Sequence, residues 1–264
     1  MNGLDAILRG KVALVTGSSS GTGAEIARRF AQSGAAVAVH CRGSVAAAEA
    51  VAASIRSQGG AAAVFVGDLA SPDYSAQLVA DAVAALGPID VLVNNAGPYV
   101  DAPLRSLRLA DWETIMGVNL RASLLLAQRV IGGMEARGWG RIINIAATSA
   151  FVRTHSVYGL AKAALIHLTE ALAVECAPSV TVNAIAPGQI ASPRTDLMPR
   201  YKAAVIADTP LAKLVLEREV ADMAAMLCAP PFDIMTGHTF VMDGGRSIPR
   251  MSGIGPELAN IETR

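Results

Sequence analysis

Short apolar runs alternate with stretches of helical composition along most of the chain. Residues 11–16 form an apolar, β-branched run that predicts a buried strand. A Gly/Ser loop follows, then a helix over 21–33 closed by Gly34. Residues 36–40 and 63–66 predict two further strands, separated by a helix over 46–58 that stops at Gly59-Gly60. A helix over 73–86, a strand over 91–94 and a long helix over 111–137 come next, the last weakened at Gly117 and at Gly132-Gly133. The strand 141–146, helix 156–177, strand 180–185, helix 217–228 and strand 239–242 complete the pattern. Strands without a polar face, alternating with helices, imply a parallel sheet covered on both sides. The expected fold class is α/β: one doubly wound domain over 1–251, with a mainly parallel seven-stranded sheet flanked by helices on both faces. The segment 187–216 holds four prolines and no steady period. Its part from about 189 to 216 reads as a mobile lid, and 252–264 as a loosely held tail.

Composition narrows the class. Hydrophobic residues make up 52% of the chain and charged ones 17%, enough for a large core. Aromatics are only 4%, which suits alanine-rich helices packed over a sheet. Lys+Arg and Asp+Glu balance at 22 each, so no net field draws nucleic acid or an anionic membrane. Cys41, Cys176 and Cys228 lie far apart, without metal-like spacing, and read as reduced thiols. His40, His167 and His238 show no metal spacing either and read as structural. No uncharged apolar stretch reaches the roughly 18–20 residues of a membrane span. The first ten residues lack an apolar signal core. A cytoplasmic protein with no metal, nucleic-acid or membrane partner is expected.

The first strand runs into Thr16-Gly17-Ser18-Ser19-Ser20-Gly21-Thr22-Gly23. Glycines between a first strand and a first helix let backbone N–H groups approach a pyrophosphate at the positive helix end. A dinucleotide site at Gly17, Ser19, Ser20, Gly21, Thr22 and Gly23 is expected on a Rossmann-type sheet. The end of the second strand, His40-Cys41-Arg42-Gly43-Ser44, lacks an acid that would hold a ribose 2′-hydroxyl. Arg42 and Ser44 suit a 2′-phosphate instead, so NADP(H) is favoured over NAD(H). Tyr158 and Lys162 stand four apart in a helical stretch and share a face. Carbonyl reduction needs a proton from the protein. An ammonium beside a phenol would lower its pKa and make the pair a general acid/base.

These motifs together resemble the classical short-chain dehydrogenase/reductase family: TGSSSGTG is similar to its TGxxxGxG loop, Asn94-Asn95-Ala96-Gly97 to its NNAG, and Tyr158…Lys162 to its YxxxK. Thr22 stands where that family usually has isoleucine. The resemblance implies further roles. Asp68 and Leu69 would contact adenine, and Asn95, Ala96 and Gly97 would line the cofactor. Lys162 would bond the nicotinamide ribose, and Asn119 would support a water leading from the lysine to solvent. Pro187-Gly188 would form the turn beside the nicotinamide, with the Ile190 backbone on the carboxamide. Ser192 or Thr195 would offer a hydroxyl to the phosphates. The substrate would be a small carbonyl or alcohol, and the assembly a homodimer or homotetramer through the helices 111–137 and 156–177.

One position departs from the family. Its catalytic serine, just after the fifth strand, falls on Ala147 here, and the loop from there to Tyr158 is about two residues short. Three readings follow. Thr148 or Ser149 takes the serine's place. Tyr158 works with another donor such as His155. Or the protein binds cofactor with little reductase activity. A relative reducing C=N or C=C bonds, of pteridine-reductase kind, is a further alternative.

Overall fold

The computed structural model describes residues 6–100, 102–152 and 156–248. Seven strands lie in the order β3-β2-β1-β4-β5-β6-β7, every pair parallel. They are β1 (Val12–Val15), β2 (Ala36–Cys41), β3 (Ala62–Val66), β4 (Val91–Asn94), β5 (Gly140–Ile145), β6 (Val180–Pro187) and β7 (Thr239–Met242). The expected doubly wound α/β domain is therefore present.

Alternation along each strand sorts its side chains between two cores. Ala13, Val15, Val91, Val93, Ile143 and Ile145 face one side. There they meet α1 (Gly21–Gln32), α2 (Val45–Ser57) and α9 (Glu217–Met226). Val12, Leu14, Leu92 and Ile142 face the other, against α3 (Pro72–Leu86), α5 (Ala122–Ala136) and the end of α6 (Val157–Glu175). Strands buried on both faces have no polar side to show, which is why they read as continuous apolar runs. α6 is long and apolar enough, by length and composition, to cross a membrane. It is packed in the domain, with Lys162 and Thr169 on its buried side.

Two regions differ from expectation. The helix predicted over 111–137 is three pieces: α4 (Leu109–Met116), a π-helical turn (Gly117–Arg121) and α5. At the wide turn the side chain of Asn119 donates to the Ile115 carbonyl at 3.0 Å, a partner the regular helix would give to a backbone amide. The second difference is the segment read as lacking a period. It contains α7 (Pro193–Asp196) and α8 (Pro199–Asp208), each begun by a proline. Proline at the first helical position loses no hydrogen bond and has the right φ, so Pro193 and Pro199 start helices in a segment without a visible period. The segment's ends are fastened: Ala191 N–H donates to Val215 O (2.8 Å) and Val215 N–H to Gln189 O (3.1 Å).

Candidate active site

The strand order reverses direction between β1 and β4, and ligands of open α/β sheets bind in the crevice at the carboxyl ends there. Thr16 ties the two strands. Its hydroxyl accepts the N–H groups of Asn95 (2.9 Å) and Ala96 (3.0 Å) and donates to Val93 O (3.2 Å). Asn95 Nδ2 in turn donates to Thr16 O (2.8 Å) and Gly17 O (3.1 Å). Thr16→Val is therefore expected to strand the Ala96 amide, since the Asn95 N–H also reaches Val93 O (3.1 Å), and to cost about 1–3 kcal/mol. Thermal melting checks this, and an unchanged midpoint would contradict it.

The glycine loop fits a dinucleotide. Gly17 has φ +61° and lies against Ala96; a Cβ on it would sit 2.9 Å from the Ala96 Cα. A Cβ on Gly23 would meet Asn95 Nδ2 and the Gly17 carbonyl. The helix end that follows is uncapped: Ser20 makes no side-chain cap bond, and the first turn of α1 has no acid. Its first N–H groups, of Gly21, Thr22 and Gly23, have no intrahelical acceptor and suit an anion. Ser19 and Thr22 are half-buried on the same loop.

At the end of β2, Cys41 is buried in the core while Arg42 and Ser44 are exposed. Asp68 is exposed but accepts the Ala70 N–H at 2.9 Å, and Leu69 is buried in the core. Gly188 donates its N–H to Met242 O (2.9 Å), holding the turn after Pro187 against β7, and Ile190 pairs with Val215. Ser192 and Thr195 cap α7 together. The Thr195 hydroxyl is buried and spent on the Ser192 backbone (2.9 and 2.7 Å), whereas Ser192 Oγ has only a long 3.4 Å contact.

The proton-handling groups meet on α6. Lys162 is buried, and Nζ donates to Ile145 O at 2.7 Å and lies 5.4 Å from the centre of the Tyr158 ring. Asn119 Nδ2 also donates to Pro98 O (3.1 Å), while Oδ1 is buried without a partner. A methyl placed on Gly97 would stand 2.5 Å from that Oδ1 and 3.3 Å from Lys162 Nζ, so the two polar atoms converge there. Across the sheet, Asn94 donates to Asn144 Oδ1 (2.8 Å) and Asn144 to Thr169 Oγ1 (2.9 Å), locking β4, β5 and α6.

The electrostatics correct one expectation. The ammonium of Lys162 does not depress the Tyr158 pKa. Burial, with a smaller contribution from Tyr99, pushes the phenol up to about 12. Burial brings Lys162 down to about 7. The lysine's nitrogen is held by Ile145 O and faces the tyrosine's ring, so desolvation outweighs attraction. Tyr99 meets Tyr158 edge-on at 5.3 Å, and Arg194 lies 5.6 Å from the Tyr99 ring.

Ala147 leads a 3-10 turn, Thr148–Ala150, beside α6. On that turn Ser149 Oγ is buried and has no hydrogen-bond partner among the described residues. His155 lies outside the described residues, as does the tail 252–264. Sequence reasoning missed Thr16 as the link between loops, the Asn144–Thr169 lock, and the contact of Tyr99 with Tyr158. Thr16 heads the glycine motif itself, which was its signal.

A glycine cradle at a switch point beside a Tyr–Lys pair defines a nicotinamide-dependent oxidoreductase. The short chain dehydrogenase family profile matches residues 11–201. The 3-oxoacyl-[acyl-carrier-protein] reductase of Synechocystis sp. is 38% identical, covering 90% of this chain and 97% of its own. An uncharacterised oxidoreductase of Mycobacterium tuberculosis is 37% identical, covering 94% and 96%. Among solved structures, a gluconate 5-dehydrogenase from Burkholderia cenocepacia in complex with NADP and tartrate superposes with TM-score 0.86 at 31% identity, covering 94% and 99%. The chain belongs to the short-chain dehydrogenase/reductase family and is an NAD(P)-dependent enzyme of it.

Proposed function

We propose that the chain is an NADP(H)-dependent oxidoreductase interconverting a carbonyl and an alcohol, with Tyr158 as general acid/base and Lys162 and Asn119 supporting it. The observation that carries the reading is the orphaned Ser149 hydroxyl, buried on a turn packed against the helix of Tyr158 and Lys162. A buried hydroxyl without a partner is costly unless something else completes it. A substrate oxygen would.

The nicotinamide, when bound, supplies or accepts the hydride. In reduction, Tyr158 gives its phenolic proton to the carbonyl oxygen, and its raised pKa keeps that proton in place at neutral pH. Ser149 donates to the same oxygen and steadies its developing charge. Lys162, one helical turn along, would hold the nicotinamide ribose, and Asn119, whose Oδ1 converges with Lys162 Nζ near Gly97, would support a water leading from the lysine to solvent. Thr148 stands beside Ser149 as the alternative donor. The loop 189–216 covers the substrate as a lid whose apolar side chains Leu197, Tyr201 and Leu211 are exposed. The same reading has the enzyme act in the cytoplasm as a homodimer or homotetramer.

Gly17, Ser19, Ser20, Gly21, Thr22 and Gly23 would hold the pyrophosphate. Asn95, Ala96 and Gly97, Pro187 and Gly188, Ile190 and Ser192 would line the rest of the cofactor, with Asp68 and the Leu69 backbone at the adenine. Arg42 and Ser44 would take the 2′-phosphate, and the NADP-bound relative supports that preference. Arg42→Ala is expected to raise the Kd for NADPH about tenfold, one charge-assisted hydrogen bond, and leave NADH binding unchanged. Fluorescence titration with both nucleotides checks this. An equal loss for both would refute the phosphate assignment. Turnover itself is tested with NADPH on a panel of ketones, 3-oxoacyl thioesters and sugar acids.

A further inference from the structure

His40 sits where three parts of the nucleotide site meet. It is buried in β2, two residues before Arg42. Its Nδ1 accepts the N–H of Gly17 at 3.1 Å, so Nε2 carries the proton and donates to Gly67 O at 3.1 Å. Its own N–H donates to Ser18 Oγ (3.0 Å), and Ser18 Oγ donates to Val15 O (2.7 Å). One ring thus bridges the glycine loop to the end of β3, immediately before Asp68. The surrounding chain leaves little slack, because Gly17 is in the left-handed region and lies against Ala96.

We propose that His40 is a positioning residue for the cofactor: its neutral ring, accepting from Gly17 and donating to Gly67, sets the spacing between the pyrophosphate loop and the adenosine end of the site. This rests on the cofactor reading above and adds to it a residue that acts through its bonds to Gly17 and Gly67.

The tautomer makes the device sensitive to acid. A proton on Nδ1 would set a second N–H against the Gly17 amide, two donors facing each other. Burial holds the imidazole below its ordinary range, while the Gly67 carbonyl and the Asp68 charge pull the other way. From α3 it faces the Tyr74 ring, centroids 5.9 Å apart. The glycine loop offers it the Gly17 amide and the Ser18 hydroxyl, its own strand ends in the Cys41 thiol, and Arg42 follows just past that end. Because the neutral form is the competent one, affinity is level above about pH 6.5 and falls as pH drops through the lowered pKa, approaching about tenfold per unit.

The test is NADPH Kd by fluorescence titration from pH 5 to 8, on the unaltered protein, His40→Leu and His40→Asn, with thermal melting alongside. Asparagine can accept from Gly17 without titrating. The 2′-phosphate of the nucleotide also titrates, so the difference between the His40→Asn and unaltered profiles isolates the imidazole. The expected result is a Kd about tenfold higher for His40→Leu at pH 8, the size of one lost hydrogen bond. His40→Asn should recover most of that affinity and lose the steeper part of the acid limb. A His40→Leu protein that binds like the unaltered one, or a His40→Asn protein that keeps the full acid limb, overturns the inference and leaves the cofactor reading standing. Failure of the unaltered protein to bind NADPH at any pH overturns the cofactor reading, and the inference with it.

Discussion

Tyr158→Phe should lower kcat for carbonyl reduction by about 10³-fold, within the range general acid catalysis contributes, and leave NADPH binding as it was. The substitution removes one oxygen and nothing else. Phenylalanine keeps the edge-on contact with the Tyr99 ring and the packing against Ile115, Val157 and Ala161. It also keeps the ring face toward Lys162. A fall in activity therefore reports the lost proton and not a lost fold. Initial rates on the carbonyl panel, with NADPH fluorescence and a melting curve on the same preparation, give the answer. More than a tenth of the original kcat in Tyr158→Phe would remove tyrosine from the mechanism. NADPH binding by the unaltered protein without turnover of any substrate would favour a cofactor-binding protein over an enzyme of this chemistry.

The second large effect is at Ser149. Ser149→Ala should reduce kcat by about 10²–10³-fold, the usual loss when one donor to a developing oxyanion is deleted. Thr148→Ala should cost much less. Stability moves in the opposite sense. The Ser149 hydroxyl is buried without a partner in the free protein, so deleting it relieves an unpaired polar group and should leave the melting temperature unchanged or higher. Lower activity at equal or greater stability is a combination that a merely structural serine would not give. If Thr148→Ala proves the damaging change, the hydroxyl assignment passes to its neighbour.

Much of this architecture is legible in the sequence because burial on both sheet faces writes itself as uninterrupted apolar runs. Strands β4 and β7 fall on 91–94 and 239–242, as their composition indicates. The helix around Asn119 is different. Composition shows a long helix with weak glycines, but a π-helical turn arises from how Asn119 competes for the Ile115 carbonyl, which only three dimensions reveal. Pro193 and Pro199 mislead for a related reason, since proline ends one helix and begins another by the same missing N–H. Tyr158 and Lys162 are placed by their spacing. Their protonation is not, because desolvation depends on what packs over them. His40 has no motif at all. The contact that singles it out joins residues 17, 40 and 67, far apart in the chain.

The clasp between residues 189–191 and Val215 has a consequence for how such an enzyme acquires substrates. The bonds there join residues 189–191 to Val215 through main-chain groups alone. Closing a longer or shorter loop between fixed ends changes the entropy only slowly with length. Residues 192–214 are tied to the domain elsewhere too, by Leu211 N–H to Gly244 O (3.1 Å) and by Arg246 to Asp208 (3.0 Å), so an exchange of this segment must keep those anchors. Such an exchange would leave Tyr158, Lys162 and the glycine loop on their own elements but would replace Ser192 and Arg194, the latter 5.6 Å from the Tyr99 ring that meets Tyr158.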